Sequence, residues 1–189
     1  METRISVLVV DDVPLIRDAV KILLTRGDYA RIVGEAATGE EAVRLADNAN
    51  PDVILMDIDM PIMNSIEAAK IIRKKHKNTK IIMLTSSNNE RFIFHSFAAG
   101  ADGYILKDKF PATIQAAITT VCLGSVWLDP GIARRILELV VENATTKKGL
   151  AIPLTREEVK TLHEVASCSV AHCLVDPEFI SNLRRLEQN

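Results

Sequence analysis

The residues with the clearest chemical potential in this chain stand at the ends of apolar runs. Asp11 and Asp12 follow "ISVLVV" (5–10), Asp57 closes "DVILMD" (52–57), Thr85 closes "KIIMLT" (80–85) and Lys107 follows "GYIL" (103–106). Three carboxylates brought to one place repel one another unless a cation sits among them. Hard oxygen donors with no His or Cys in the set suit Mg²⁺. A metal and the Lys107 ammonium would neutralise phosphoryl oxygens while a carboxylate acts as nucleophile, so the set reads as a site for receiving a phosphoryl group. Taken singly, each residue has a plainer explanation. An acidic residue after a strand is commonly a helix N-cap, and Asp12 is placed to cap a helix starting at Val13 or Pro14. Thr85 can be an ordinary strand end, Tyr104 an edge aromatic and Lys107 a solvated loop lysine. Only convergence at several strand ends carries the chemical reading.

Convergence demands a particular arrangement of elements, and the hydrophobic pattern supplies it. Strands are predicted at 5–10, 31–35, 52–57, 80–85 and 103–106. Between them, helical patterns run from Pro14 to about Arg26, and over about 39–48, 65–75 and 89–99; Pro111 opens a last one to about Leu123. In the first helix Leu15, Ala19, Ile22 and Leu23 share one face. Strands apolar on both faces and alternating with helices argue for a doubly wound α/β domain, a five-stranded parallel sheet covered on both sides. In such sheets the working site lies outside the carboxyl ends of the strands, near the point where strand order reverses. Asp11, Asp12, Asp57, Thr85 and Lys107 would all meet on that rim.

Bulk properties narrow the classes further. A chain of 189 residues, 48% apolar and 25% charged, accommodates one ordinary domain and a smaller appendage. A net charge of −2 gives no whole-chain attraction to nucleic acid or to an anionic membrane. No apolar run reaches the ~18 residues of a membrane span, and the start of the chain lacks signal-peptide features. Cys122, Cys168 and Cys173 have no framework spacing, so reduced thiols and a cytoplasmic location are expected. A dinucleotide-binding reading fails, because "VVDDVPL" has no glycine after the first strand.

The segments "VDD", "DVILMDIDMP", "IIMLTS" and "GADGYILKD" together resemble the receiver domain of two-component response regulators, over residues 4 to about 125. The resemblance implies a flavodoxin-like fold with Asp57 as phosphoacceptor, charged from a phosphohistidine on a sensor histidine kinase or phosphotransfer protein. It also implies that Asp12, Asp57 and the backbone carbonyl of Asp59 hold Mg²⁺ and that Asp11 orients the metal shell. Thr85 would be the switch hydroxyl, Lys107 the counter-ion and Tyr104 the aromatic that reports the state. Such a protein accepts a phosphoryl group without being a dedicated enzyme. On phosphorylation the pull on Thr85 and Lys107 is expected to alter the surface carrying Phe92, Phe97 and Tyr104, and with it homodimerisation or the docking of C-terminal helices. One departure stands out in "PIMNSIEA" (61–68): Ser65 takes a position where the family usually carries Gly, and a left-handed backbone there would strain a serine. "DIDM" (57–60) also resembles the Asp-x-Asp of haloacid-dehalogenase-like phosphatases, although there the motif follows the first strand.

The expected division is a receiver over 1–125, a linker helix and linker over 126–153, and a short helical module over 154–189. After an extended turn at 124–128, Asp129 and Pro130 are a good N-cap and first residue for a helix carrying Ile132, Ile136, Leu139 and Val140 on one face. This order is similar to the NarL/FixJ branch of response regulators, in which a LuxR-type helix-turn-helix follows. "PLTREEVKTLHEVAS" (153–167) resembles the first helix of that domain, with Thr155 and Glu158 at capping-box spacing. The 22 residues after Ser167 carry no segment resembling the recognition helix. Residues 151–189 hold four Lys or Arg against six Asp or Glu, a poor balance for reading phosphates. A second short helix is expected over 177–187. DNA binding with transcription regulation and a non-DNA-binding switch acting through protein contacts therefore both remain open. His163, Cys168, His172 and Cys173 match no standard zinc spacing.

Overall fold

A computed structural model of the chain describes residues 4–60, 65–86, 90–129, 131–133 and 173–175. Five strands lie where the apolar runs place them: β1 (Ile5–Val10), β2 (Ala30–Ala36), β3 (Val53–Asp57), β4 (Lys80–Thr85) and β5 (Gly103–Leu106). Five helices alternate with them: α1 (Pro14–Thr25), α2 (Gly39–Ala49), α3 (Ser65–Lys75), α4 (Glu90–Ala98) and α5 (Phe110–Cys122). Two short strands, β6 (Val126–Leu128) and β7 (Cys173–Val175), extend the expected five-stranded sheet to seven strands in the order β2-β1-β3-β4-β5-β6-β7, and β7 is a strand within the C-terminal segment expected to be wholly helical. All neighbours pair in parallel except β6 with β7. Strand order reverses between β1 and β3, so the crevice lies above these two strands.

The two-residue period of the strands sorts the core into two layers. Leu8, Val10, Ile54, Met56, Ile81 and Met83 face one side, where α2, α3 and α4 contribute Ala42, Ala68, Ile72 and Phe97. Val7, Val9, Val53, Leu55, Ile82 and Leu84 face the other, where they meet Val20 and Leu24 of α1 and Ile114 and Ile118 of α5. Burial on both faces is what makes these strands nearly continuous apolar runs.

Local signals start and stop the helices. Pro14 opens α1, and Thr38 caps α2 by accepting from the Glu41 N–H at 3.2 Å. Asn50 in the left-handed conformation ends α2. Gly100, at φ +103°, turns the chain out of α4; a Cβ there would sit 2.7 Å from Arg73 Cγ.

Three further expectations need correction. The buried stripe of α1 is Val20 and Leu24, with Ile16, Ala19 and Leu23 partly buried beside it; Leu15 and Ile22 are 74% and 52% exposed. The helix is rotated so that Leu24 and not Ile22 meets the sheet. Phe97 and Tyr104 belong to the interior between the sheet and α4, not to a surface, because β5 is buried on both faces. The side chain of Phe92 lies outside the described residues. Residues 126–128 form a strand and not merely an extended turn, since the Trp127 N–H donates to Asp102 O at 3.1 Å.

Past β6 the chain turns on Asp129. Its N–H donates to Tyr104 O at 3.2 Å, and its carbonyl accepts from the N–H groups of Ile132 and Ala133, both at 2.9 Å. Its buried carboxylate accepts weakly from the Gly131 N–H at 3.4 Å and meets Lys109 Nζ at 3.2 Å. The expected N-cap is thus present, and Ile132 and Ala133 are buried in the α2–α4 layer. The remainder of that helix, the linker, both later helices, the capping box and the side chains of the four zinc candidates lie outside the described residues.

Candidate functional site

The carboxyl rim of the sheet brings the predicted residues together. Asp11 follows β1 directly, its N–H donating to Ala36 O at 3.1 Å, and it is fully buried. One of its carboxylate oxygens accepts the Val13 N–H at 2.9 Å; the other meets Lys107 Nζ at 2.7 Å. Val13, not Asp12, is the N-cap residue of α1, with no side-chain cap bond. The plainer reading of Asp12 therefore fails, and its exposed carboxylate is left to the crevice. Asp57, the last residue of β3, is 2% exposed and meets Lys107 Nζ at 2.9 Å. The Lys107 N–H donates to Thr85 O at 2.7 Å, so the ammonium and the Thr85 hydroxyl rise from adjacent backbones. Thr85 and Tyr104 are fully buried.

Electrostatics follow from this packing. Burial pushes the Asp57 carboxyl above the ordinary carboxylate value, against the Lys107 ammonium, with Asp11 adding to the rise and the Asp59 N–H opposing it. Burial by itself would lower the Lys107 pKa, but its bonds to Asp11 and Asp57 outweigh that and leave it above the usual lysine value. Burial raises the Tyr104 phenol to about 12. Its oxygen finds no partner of ordinary hydrogen-bond geometry, although the Thr85 hydroxyl lies close enough to offset part of the rise.

Asp11, Asp12 and Asp57 each offer an oxygen, and these lie within 4.8 Å of one another. The buried oxygens that face Lys107, Asp11 Oδ2 and Asp57 Oδ1, lack a hydrogen bond of ordinary geometry. A pocket of three carboxylates with no nitrogen or sulfur ligand fits a small hard cation. Asp59 has an exposed side chain and meets Asp57 through its N–H, so the paired carboxylates of the Asp-x-Asp phosphatase reading find no support.

Two contacts went unseen in the sequence. Arg17 Nη1 donates to Asp11 O at 2.7 Å, tying α1 to the end of β1. Ser65, fully buried, donates from Oγ to Asp57 O and lies 3.2 Å from Ile58 O. As the first residue of α3 it belongs to a right-handed helix, and not to the left-handed backbone expected of the family's Gly. An Arg one turn into a helix has no pattern that betrays a backbone partner. Ser65 did have a signal, as a polar residue in a position otherwise reserved for Gly.

Comparison with known proteins agrees with this geometry. The response regulator receiver domain matches residues 7–119. The transcriptional regulatory protein YdfI of Bacillus subtilis (strain 168) is 39% identical over 161 residues, which cover 85% of this chain and 75% of that protein. The nitrate/nitrite response regulator protein NarL of Escherichia coli (strain K12) is 32% identical over 161 residues, 85% of this chain and 74% of its own length. A crystal structure of a LuxR-family two-component response regulator from Aurantimonas sp. SI85-9A1 superposes with a TM-score of 0.70 at 33% identity, covering 74% of this chain and 99% of that one. With a doubly wound sheet, an acidic pocket at its switch point and a lysine bridging that pocket, the chain belongs to the response regulators, through a receiver domain similar to those of NarL- and LuxR-type transcriptional regulators.

Proposed function

We propose that Asp57 is the phosphoacceptor of this response regulator, charged by a partner histidine kinase or phosphotransfer protein. A carboxylate oxygen of Asp57 attacks the phosphorus of a phosphohistidine, the P–N bond breaks, and the imidazole leaves with the electron pair, giving an acyl phosphate. Lys107 already spans Asp11 and Asp57 and is placed to take one phosphoryl oxygen. Asp12, Asp57 and the Asp59 carbonyl would hold Mg²⁺, with Asp11 orienting its shell; the ion supplies charge neutralisation on the phosphoryl oxygens. Thr85, beside Lys107 on the neighbouring backbone, serves as the switch hydroxyl, and Tyr104 as the aromatic that follows it.

The observation that supports this reading most is the meeting of the three carboxylates within 4.8 Å, two of them bound to one buried ammonium. Labelling with a small phosphodonor and Mg²⁺ tests it. The wild type should form one acid-stable, base-labile adduct, and Asp57→Asn, which keeps size and hydrogen bonding, should form none. Equal labelling of both would refute the assignment.

For output, the receiver over 1–125 passes its state through residues 126–153 to the module at 154–189, and the relatives named as transcriptional regulators favour control of transcription. The acidic balance of 151–189 favours a second reading, action through protein contacts, including a phosphorylation-dependent homodimer. Binding to random duplex DNA under a salt titration separates them, because a DNA reader retains weak, salt-sensitive affinity without its site.

A further inference from the structure

We propose that Ser65 is a positioning residue for phosphoryl acceptance: its hydroxyl holds the Asp57–Asp59 backbone in the conformation that accepts Mg²⁺ and phosphate. The inference rests on the reading of Asp57 as phosphoacceptor and concerns a residue that reading does not use. Ser65 is the first residue of α3 and is wholly buried. Its Oγ donates to Asp57 O and lies within reach of Ile58 O at 3.2 Å, eight and seven residues back along the chain. Both carbonyls belong to the segment that leaves β3 for the site. The Ile58 N–H is held by Leu84 O at 2.9 Å, and the Asp59 N–H turns back to the Asp57 carboxylate.

The consequence is geometric. A hydrogen bond on Asp57 O fixes the orientation of the peptide between Asp57 and Ile58, and so the direction in which Asp59 presents its N–H to the Asp57 carboxylate and would offer its carbonyl to a metal. A glycine at position 65 has no group that could make this bond, and a serine with a left-handed backbone would offset its gain with strain. Ser65 makes the bond without that backbone. A single hydroxyl proton cannot serve two carbonyls fully, so the bond to Asp57 O dominates and Ile58 O is a secondary acceptor.

The test uses the full chain as wild type, Ser65→Ala, Ser65→Gly and Asp57→Asn. Labelling rates with acetyl phosphate are measured across a Mg²⁺ titration, alongside thermal unfolding in metal-free buffer. Ser65→Ala and Ser65→Gly should both need roughly five- to tenfold more Mg²⁺ for half-maximal labelling, the scale of one lost hydrogen bond. A packing role would lower the unfolding midpoint and leave the Mg²⁺ dependence alone. The proposal is overturned if wild type and both variants share one Mg²⁺ dependence, or if Ser65→Gly matches wild type while Ser65→Ala does not, since space and not the hydroxyl would then matter. Absence of label on the wild type removes the Asp57 reading first; label on the wild type, none on Asp57→Asn and unchanged Ser65 variants remove only this proposal.

Discussion

The two ends of the sheet handle charge in opposite ways. At the amino ends of the strands, Asp52 accepts from the Ser6 N–H at 2.7 Å and the Ser6 hydroxyl at 2.6 Å, and that hydroxyl accepts the Asp52 N–H at 2.9 Å. Asp102 accepts the Ile81 N–H at 2.9 Å and a guanidinium N–H of Arg73. The same guanidinium donates to Gly100 O, Lys77 O and Thr79 O. Asp102 has no buried oxygen without a hydrogen-bond partner. At the carboxyl ends, Asp11 and Asp57 share one ammonium, and the oxygens they turn to it lack a hydrogen bond of ordinary geometry. Asp52 is exposed and Asp102 half-buried, whereas Asp11 and Asp57 are buried, where charge is costly. Where several fixed N–H and O–H donors hold it, the charge joins elements; where two carboxylates share one lysine ammonium, it stays available to a cation and a phosphoryl group. A single shared ammonium, and not acidity, distinguishes the working end.

That contrast can be broken or sharpened by experiment. Lys107→Met, in metal-free buffer at neutral pH, leaves two buried carboxylates unpaired and should cost about 3–5 kcal/mol. Mg²⁺ at about 100 times its Kd should restore about 2.7 kcal/mol of it, because the ion binds only the folded state. Arg73→Ala should cost about 2–4 kcal/mol, less because the pair is partly exposed, though the backbone carbonyls also lose their donor. Mg²⁺ should not restore that loss. Chemical denaturation with and without Mg²⁺ measures all four values, and equal rescue of the two variants would erase the distinction between the rims.

The smallest effect concerns Tyr104. Its phenol is neutral below its pKa, and folding raises that pKa from 10.0 to about 12. The sign follows from linkage: the contribution is fully present below pH 10 and is lost as pH rises through about 12. At a pH one unit above the unfolded value it amounts to roughly 1 kcal/mol. Absorbance titration of the phenolates should show a late transition that Tyr104→Phe removes, leaving Tyr29, whose pKa burial also raises. An early transition for Tyr104 would mean that its pocket admits water.

Much of this was legible in the sequence, for physical reasons. β4, β5 and α3 occupy the predicted spans, because a strand buried on both faces must be apolar throughout and its boundaries fall at the first polar residue. Convergence at one rim was legible because parallel crossovers return every strand in the same direction. The short strand β6 was not: three residues hold too little pattern, and its register rests on backbone bonds to β5 that no side chain announces. The face of α1 was not legible because Leu15 and Ile22 fit a helical period as well as Val20 and Leu24 do, and the sheet alone decides between them. Arg73 stands in a run of basic residues that reads as a solvated helix end, yet it holds Gly100 and Asp102. Side chains that partner carbonyls leave no periodic trace.

Asp129 gives the fold a built-in heading. Its N–H hangs from the carbonyl of Tyr104, its carboxylate is pinned by Lys109, and the next helical turn begins on its carbonyl. The axis along which the chain departs at Gly131–Ala133 is therefore aimed by β5, the strand that carries Tyr104 and leads into Lys107. A small tilt of the Tyr104 peptide therefore changes the bearing of the turn at Gly131–Ala133.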